Sequence, residues 1–132
     1  MQQHNPPASA AALDELLATR TSKWNLLVIL HLRHDTKRFS ELQRDIGIIS
    51  QKALTASLRH LERDGFISRT GYATIPPRVD YALTELGTEA FKAFEALERF
   101  AMQHWQHVVA AREEFDARGP VPAPPQLTAF RR

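Results

Sequence analysis

A chain of 132 residues, 43% hydrophobic and 24% charged, can bury one real core with appendages and is too short for two independent ones. Its formal charge is only +2 and it contains no cysteine, which excludes disulfides, thiolate metal sites and a thiol redox switch within these residues. The longest apolar run, Leu26 to Leu30, falls far short of the roughly 20 residues that span a bilayer.

The opening "MQQHNPPASA" has no basic segment followed by an apolar core, so no secretory leader is expected and the expected address is the cytoplasm. Residues 1–8 read as a disordered N-terminus, and residues 9–118 as a single domain. Ser9 can cap a short helix over about 10–19, with Leu13, Leu16 and Leu17 on one side. "TRTS" breaks it, and Ser22 can cap a second helix, "KWNLLVILHLRH". That helix is apolar nearly all round from Trp24 to Leu30 and reads as the central buried element.

After the connector "DTKRF", with one or two extended residues near Phe39, Ser40 opens "SELQRDI". Gln43 lies three residues on, which gives the S-x-x-Q pattern of a capping box. Ile46-Gly47-Ile48-Ile49 makes a tight turn, and Ser50 caps the next helix, which stops at Gly65. A short helix, a tight turn and a second helix form a helix-turn-helix by spacing alone. Two β-prone runs follow, "FISRTGY" and "RVDYALT", joined by "ATIPP", whose prolines favour an extended loop. Val79, Tyr81 and Leu83 alternate on one face of the second run. This order predicts a mainly α chain with a small β-hairpin wing, a winged helix-turn-helix.

Charge is unevenly spread. From Arg20 to Asp80 there are eleven Lys/Arg against six Asp/Glu, and the remainder of the chain carries a net −3. The basic excess coincides with the helix-turn-helix and points to a polyanion, double-stranded DNA. The helix after Ser50 puts Leu54, Leu58 and Leu61 on its inner stripe and Lys52, Ala56, Arg59 and Arg63 on the other, with Gln51 and Thr55 near its start. In a major groove, Gln can pair with adenine, Lys can donate to guanine, and Thr can touch a thymine methyl or a phosphate. Gln51, Lys52 and Thr55 are therefore the expected base contacts, and Arg59 an expected phosphate contact. Ser40 and Ser50, at helix N-termini, suit phosphate oxygens. Arg78, after the Pro-Pro loop, would sit in or beside the minor groove.

The final helix is expected from about Glu85 to Ala117, capped by Thr84, within a segment at 84–118. Its stripe of Leu86, Ala90, Phe94, Leu97, Ala101, Trp105, Val108 and Phe115 needs a partner. A homodimer seam is the reading preferred over a ligand-gathering wall, with the short N-terminal helix as the other candidate seam. The tail from residue 119 is proline-rich and reads as disordered. His31/His34 and His104/His107 stand at i, i+3, yet no obvious third ligand completes a metal site, so neither metal nor cofactor is expected. There is no Gly-rich phosphate loop, no serine elbow and no carboxylate pair with a reason to differ in pKa, so the chain does not read as an enzyme. The competing readings are a winged-helix protein-interaction module without specific DNA binding, and a metal- or ligand-sensing dimer.

The words "KWNLLVIL" (23–30), "KRFSELQRDIGIISQKALTASLRHLERDGFISR" (37–69) and "PPRVDYALTELG" (76–87) resemble the HxlR family of bacterial winged helix-turn-helix regulators, relatives of the MarR-like repressors. The resemblance implies a homodimer built from N- and C-terminal helices on a palindromic operator, acting more as a repressor than an activator. It implies that Ser40, Ser50, Gln51, Lys52, Thr55, Arg59 and the wing residue Arg78 face DNA, with Arg38 near the backbone. Family members often respond to small molecules or oxidants. Many carry a sensing cysteine ahead of the first helix; here there is none, so any effector would bind non-covalently.

Overall fold

The computed structural model describes residues 9–17 and 22–120. The expectations for residues 1–8 and for the tail beyond 120 lie outside the described residues, as does most of the "TRTS" break. The elements run α1 (Ser9–Leu17), α2 (Ser22–His31), β1 (Lys37–Arg38), α3 (Phe39–Ile46), α4 (Gln51–Arg63), β2 (Ile67–Tyr72), β3 (Arg78–Leu83) and α5 (Glu85–Ala117). Two compact units result, residues 1–96 and residues 97–132.

The first unit is built on α2. Val28, Ile29, Leu30 and Leu32 are buried, and Val28, Ile29 and Leu32 share one core with Leu42 of α3, Leu54, Leu58 and Leu61 of α4, Ile49 and Ile67. The near-continuous apolar character of α2 thus reflects packing on several sides, as expected of a central helix. Each of these aliphatic side chains contributes about 1.5–3 kcal/mol by leaving water. One polar contact crosses this core. Ser57, wholly buried on α4, donates its hydroxyl to Asn25 Oδ1 of α2 at 2.6 Å. It occupies the stripe between Leu54 and Leu58, where a small hydroxyl needs a partner once water is excluded.

The turn between α3 and α4 works because Gly47 takes φ +85°, a left-handed conformation costly for any residue with a Cβ. Gly47 N–H closes α3 on the Gln43 carbonyl at 3.0 Å. Ile49 then anchors the turn in the core, whereas Ile48 stands exposed. Ser50 caps α4 by accepting from Ala53 N–H at 3.1 Å. Replacing Ser50 with alanine should cost about 1 kcal/mol of stability, read as a lowered urea midpoint at unchanged m-value. An unchanged midpoint would show that the first turn of α4 does not depend on its cap.

At α3 the start differs from the expected one. Phe39, not the residue after Ser40, is the first helical residue, and the reciprocal bond comes from Glu41, whose Oε1 accepts from Arg38 N–H at 3.3 Å. Ser40 lies inside the first turn, and Glu41 rather than Gln43 makes the reciprocal bond at the start of the helix. The extended conformation of Arg38 explains the shift, since β1 runs directly into α3 and leaves no room for a separate cap.

The three strands form one antiparallel sheet in the order β1-β3-β2. Lys37 faces Tyr81 and Arg38 faces Asp80 across one edge, while Ile67 to Tyr72 pair with Leu83 to Arg78 across the other. Tyr81 and Leu83 pack against the core and Val79 is half-buried, as the alternation predicts. Asp80, on the opposite parity, is nonetheless buried. Thr84 Oγ1 then caps α5 by accepting from Gly87 N–H at 3.1 Å. Gly87 is buried against the Phe66 carbonyl, and Ala90, Phe91 and Phe94 pack on the core.

In the second unit, described to residue 120, the helical residues present an apolar surface of Leu97, Phe100, Met102, Trp105 and Phe115. Phe100 and His104 rings lie 4.8 Å apart, His104 and His107 5.8 Å apart, and the Arg112 guanidinium covers the Trp105 ring at 5.2 Å. Among the described residues no group of three or more His, Cys, Asp or Glu is placed to hold a metal ion. No described helix is long and apolar enough to cross a membrane.

Candidate nucleic-acid interface

α4 divides cleanly. Leu54, Ser57, Leu58 and Leu61 face inward, and Gln51, Lys52, Thr55 and Arg59 are exposed. The outward residues, with Ser50, Ala56 and His60, border one shallow surface. Neither Lys52 nor Arg59 is paired with a carboxylate among the described residues, so both charges are available to a ligand. Thr55 is more constrained. Its hydroxyl donates to the Gln51 carbonyl at 2.8 Å, which commits its only hydrogen. What remains outward is a lone pair and a methyl group, suited to a base amino group or a thymine methyl rather than to a phosphate. Ser50 is the reverse case. Its oxygen accepts from Ala53 N–H, so its hydrogen stays free to donate to a phosphate oxygen.

The surface continues toward the sheet. Thr55 and Arg59 of α4 border a concavity with Phe39, Arg69 and Tyr81, and Glu62 stands on its rim. Phe39 also borders a second concavity formed by Arg38, Ser40 and the loop from Thr74 to Val79. α4, the start of α3 and the hairpin loop therefore flank one continuous hollow surface. All eight residues expected to face DNA border parts of it: Arg38, Ser40 and Arg78 on the loop side, and Ser50, Gln51, Lys52, Thr55 and Arg59 on the α4 side. Arg69 and Phe39 were not singled out in the sequence. Arg69 could have been, as the one basic residue in β2 on a stretch free of acids.

Arg78 is held rather than loose. Its Nε and Nη2 donate to the two carboxylate oxygens of Asp80 at 2.8 and 3.1 Å, and its guanidinium lies 5.8 Å from the Tyr72 ring centroid. Asp80 is buried beneath it, which explains the departure from strand alternation: the pair is a bidentate fork aligned along β3. The bonded carboxylate raises the Arg78 pKa above its ordinary value, so the group remains a cation throughout the accessible pH range. Its remaining N–H groups stand at the loop end of the hairpin with little rotational freedom to lose. On the neighbouring strand Lys37 is bonded to Asp45 at 2.6 Å, which holds that carboxyl below its usual range and removes Lys37 from the pool of free cations.

A helix-turn-helix whose second helix exposes Gln51, Lys52, Thr55 and Arg59, with Glu62 on its flank, followed by a hairpin bearing a fixed guanidinium, defines a winged-helix DNA-binding regulator. The chain belongs to the HxlR-like helix-turn-helix family, whose sequence model matches residues 20–109. It is 42% identical over 114 residues to the HTH-type transcriptional regulator YtfH of Escherichia coli K12, covering 86% of this chain and 90% of that protein. The structure of the regulator ytfH from Salmonella typhimurium superposes with a TM-score of 0.67 at 35% identity, over 80% of this chain and 91% of that one. The reduced form of YodB from Bacillus subtilis superposes with a TM-score of 0.60 at 35% identity, over 76% and 94%. This chain is a transcriptional regulator with a helix-turn-helix DNA-binding domain, and with no cysteine it has no thiol of its own to oxidise.

Proposed function

We propose that the protein acts as a homodimeric repressor on a palindromic operator, with α4 of each protomer in a major groove and the hairpin wing beside it. The observation that carries this reading is the outward-facing set Gln51, Lys52, Thr55 and Arg59 on a helix whose other side is fixed in the core. Gln51, Lys52 and Thr55 read base edges, Arg59 holds a phosphate, and the first-turn amides and hydroxyls at Ser40 and Ser50 take neighbouring phosphate oxygens. Arg38 lies along the same strand, and Arg78 reaches the wing-side groove. The exposed apolar surface of Leu97, Phe100, Trp105 and Phe115 supports pairing with a second copy, which would set the spacing of two half-sites at one helical turn, roughly 34–36 Å, or a multiple of it.

An effector, on this reading, binds without covalent chemistry. An apolar cavity of about 300 Å³ in the first unit, bordered by Leu13, Leu16, Ile29, Leu61 and Phe94, is large enough for a small organic molecule. Its occupation would shift the population of dimers with operator spacing.

Fluorescence anisotropy with the DNA upstream of the protein's own coding region, against a scrambled duplex, tests the operator reading across a salt series. The expected result is selective binding whose log affinity falls with log salt by about 0.9 per phosphate neutralised. Equal, weak binding to duplexes of every sequence would move the weight to a protein-interaction module.

A further inference from the structure

The loop that joins β2 to β3 ends in an unusual side chain for a solvent-facing tip. Ile75 is entirely exposed, with a relative accessibility of 101%, and makes no packing contact with the core. Two prolines follow it, so the backbone beyond the tip has few conformations to lose. Thr74 fastens the tip from the other side, donating its hydroxyl to the Pro76 carbonyl at 2.9 Å. A bare aliphatic group on a stiffened mount contributes nothing to folding, and in water it is unfavourable.

Its surroundings name the partner. From Gly65 to Val79 the chain has Arg69 and Arg78 and no carboxylate, and the hollow beside the loop is bordered by Arg38 and Ser40. A cationic rim around an apolar point suits a duplex, whose phosphates flank a groove floored by base edges, better than an uncharged protein surface. We infer that Ile75 is a minor-groove wedge: the tip inserts its aliphatic side chain against or between base pairs at the outer edge of each half-site, opens the minor groove there and kinks the DNA toward the major groove. Arg78, fixed on Asp80, and Arg38 hold the phosphates on either side of the insertion. The inference rests on the operator reading above and adds to it a contact that uses no hydrogen bond. Sequence preference at the wedge comes from the ease of unstacking a step, so flexible pyrimidine–purine steps such as TA are preferred there and stiff A-tracts disfavoured.

The test uses a duplex selected by the full-length wild-type protein from a random library. End-to-end fluorescence energy transfer reads bending, and anisotropy reads affinity. Wild type is expected to bend the duplex, Ile75→Ala to bind roughly tenfold more weakly with most of the bend lost, and Ile75→Leu to retain both. Changing the wing-side step from TA to an A-tract should weaken wild type and leave Ile75→Ala unaffected. Since Ile75 touches no core residue, each variant should keep the wild-type unfolding midpoint. If Ile75→Ala binds and bends like wild type, the wedge is overturned while the operator reading stands. If wild type itself selects no sequence from the library, the operator reading falls and the wedge falls with it.

Discussion

Gly87→Ala is expected to be among the most damaging single substitutions in the winged domain, lowering stability by about 3–5 kcal/mol. A Cβ at this position would lie 1.9 Å from the Phe66 carbonyl oxygen and 2.9 Å from its carbon. Both neighbours are backbone, so no side chain can rotate away. That carbonyl is also the acceptor for Thr84 N–H at 3.1 Å, and Thr84 in turn caps α5 on Gly87. Making room would pull the start of α5 off the end of α4 and release Ala90, Phe91 and Phe94 from the core together. Gly71→Ala is the control, because nothing lies within 4 Å of its added carbon. Urea unfolding of the two variants checks the claim, and closely similar midpoints would refute it.

Lys52→Glu should reduce operator affinity by about a hundredfold or more at physiological salt, with no change in the unfolding midpoint. The side chain is exposed on the outer side of α4 and bonded to no carboxylate among the described residues, so its charge has no structural task. Reversal both removes a donor to the groove and places a carboxylate among phosphates, and in a dimer it does so twice. Lys92→Glu makes the same change in net charge on an exposed residue of α5 whose ammonium is bonded to Glu89. It should alter affinity little. Equal losses for the two variants would mean that only the overall field of the protein had been measured, and that α4 is not the reading element.

The parts of the fold legible in the sequence were those governed by short-range rules. Leu54, Leu58 and Leu61 announce an amphipathic helix, Ser50 and Thr84 announce caps, and Gly47 announces a turn; each depends on residues within four positions. The β-prone runs fell within a residue of β2 and β3, and α5 has the expected bounds. What escaped notice depends on partners brought together by folding. Ser57 reads as a polar residue on the edge of a stripe until Asn25, thirty-two positions away, is placed beside it. Asp80 reads as the solvent side of a strand until Arg78 is seen folded over it. At α3 the local rule misled, because β1 runs directly into the helix, so Arg38 rather than Ser40 stands at the N-cap and its N–H is taken by Glu41. The exposed polar and basic residues of α4 were legible as a class, from charge and helical spacing; Arg69 joins Thr55 and Arg59 only once the sheet brings it to the same hollow.

The Ser57–Asn25 bond has a consequence for how such a regulator can change its address. A helix held only by leucines can roll on its axis with small cost, since apolar contacts have no direction. A roll of one residue is about 100°, enough to turn a different row of side chains to the groove. The buried Ser57 hydroxyl, directed at one amide oxygen, acts as a key in a shaft and indexes the helix. The lettering at Gln51, Lys52, Thr55 and Arg59 shares no position with that mounting. On the operator reading proposed above, new addresses can therefore be written on the outside of α4, by mutation or by a designed library, while the angle at which they are presented stays the same.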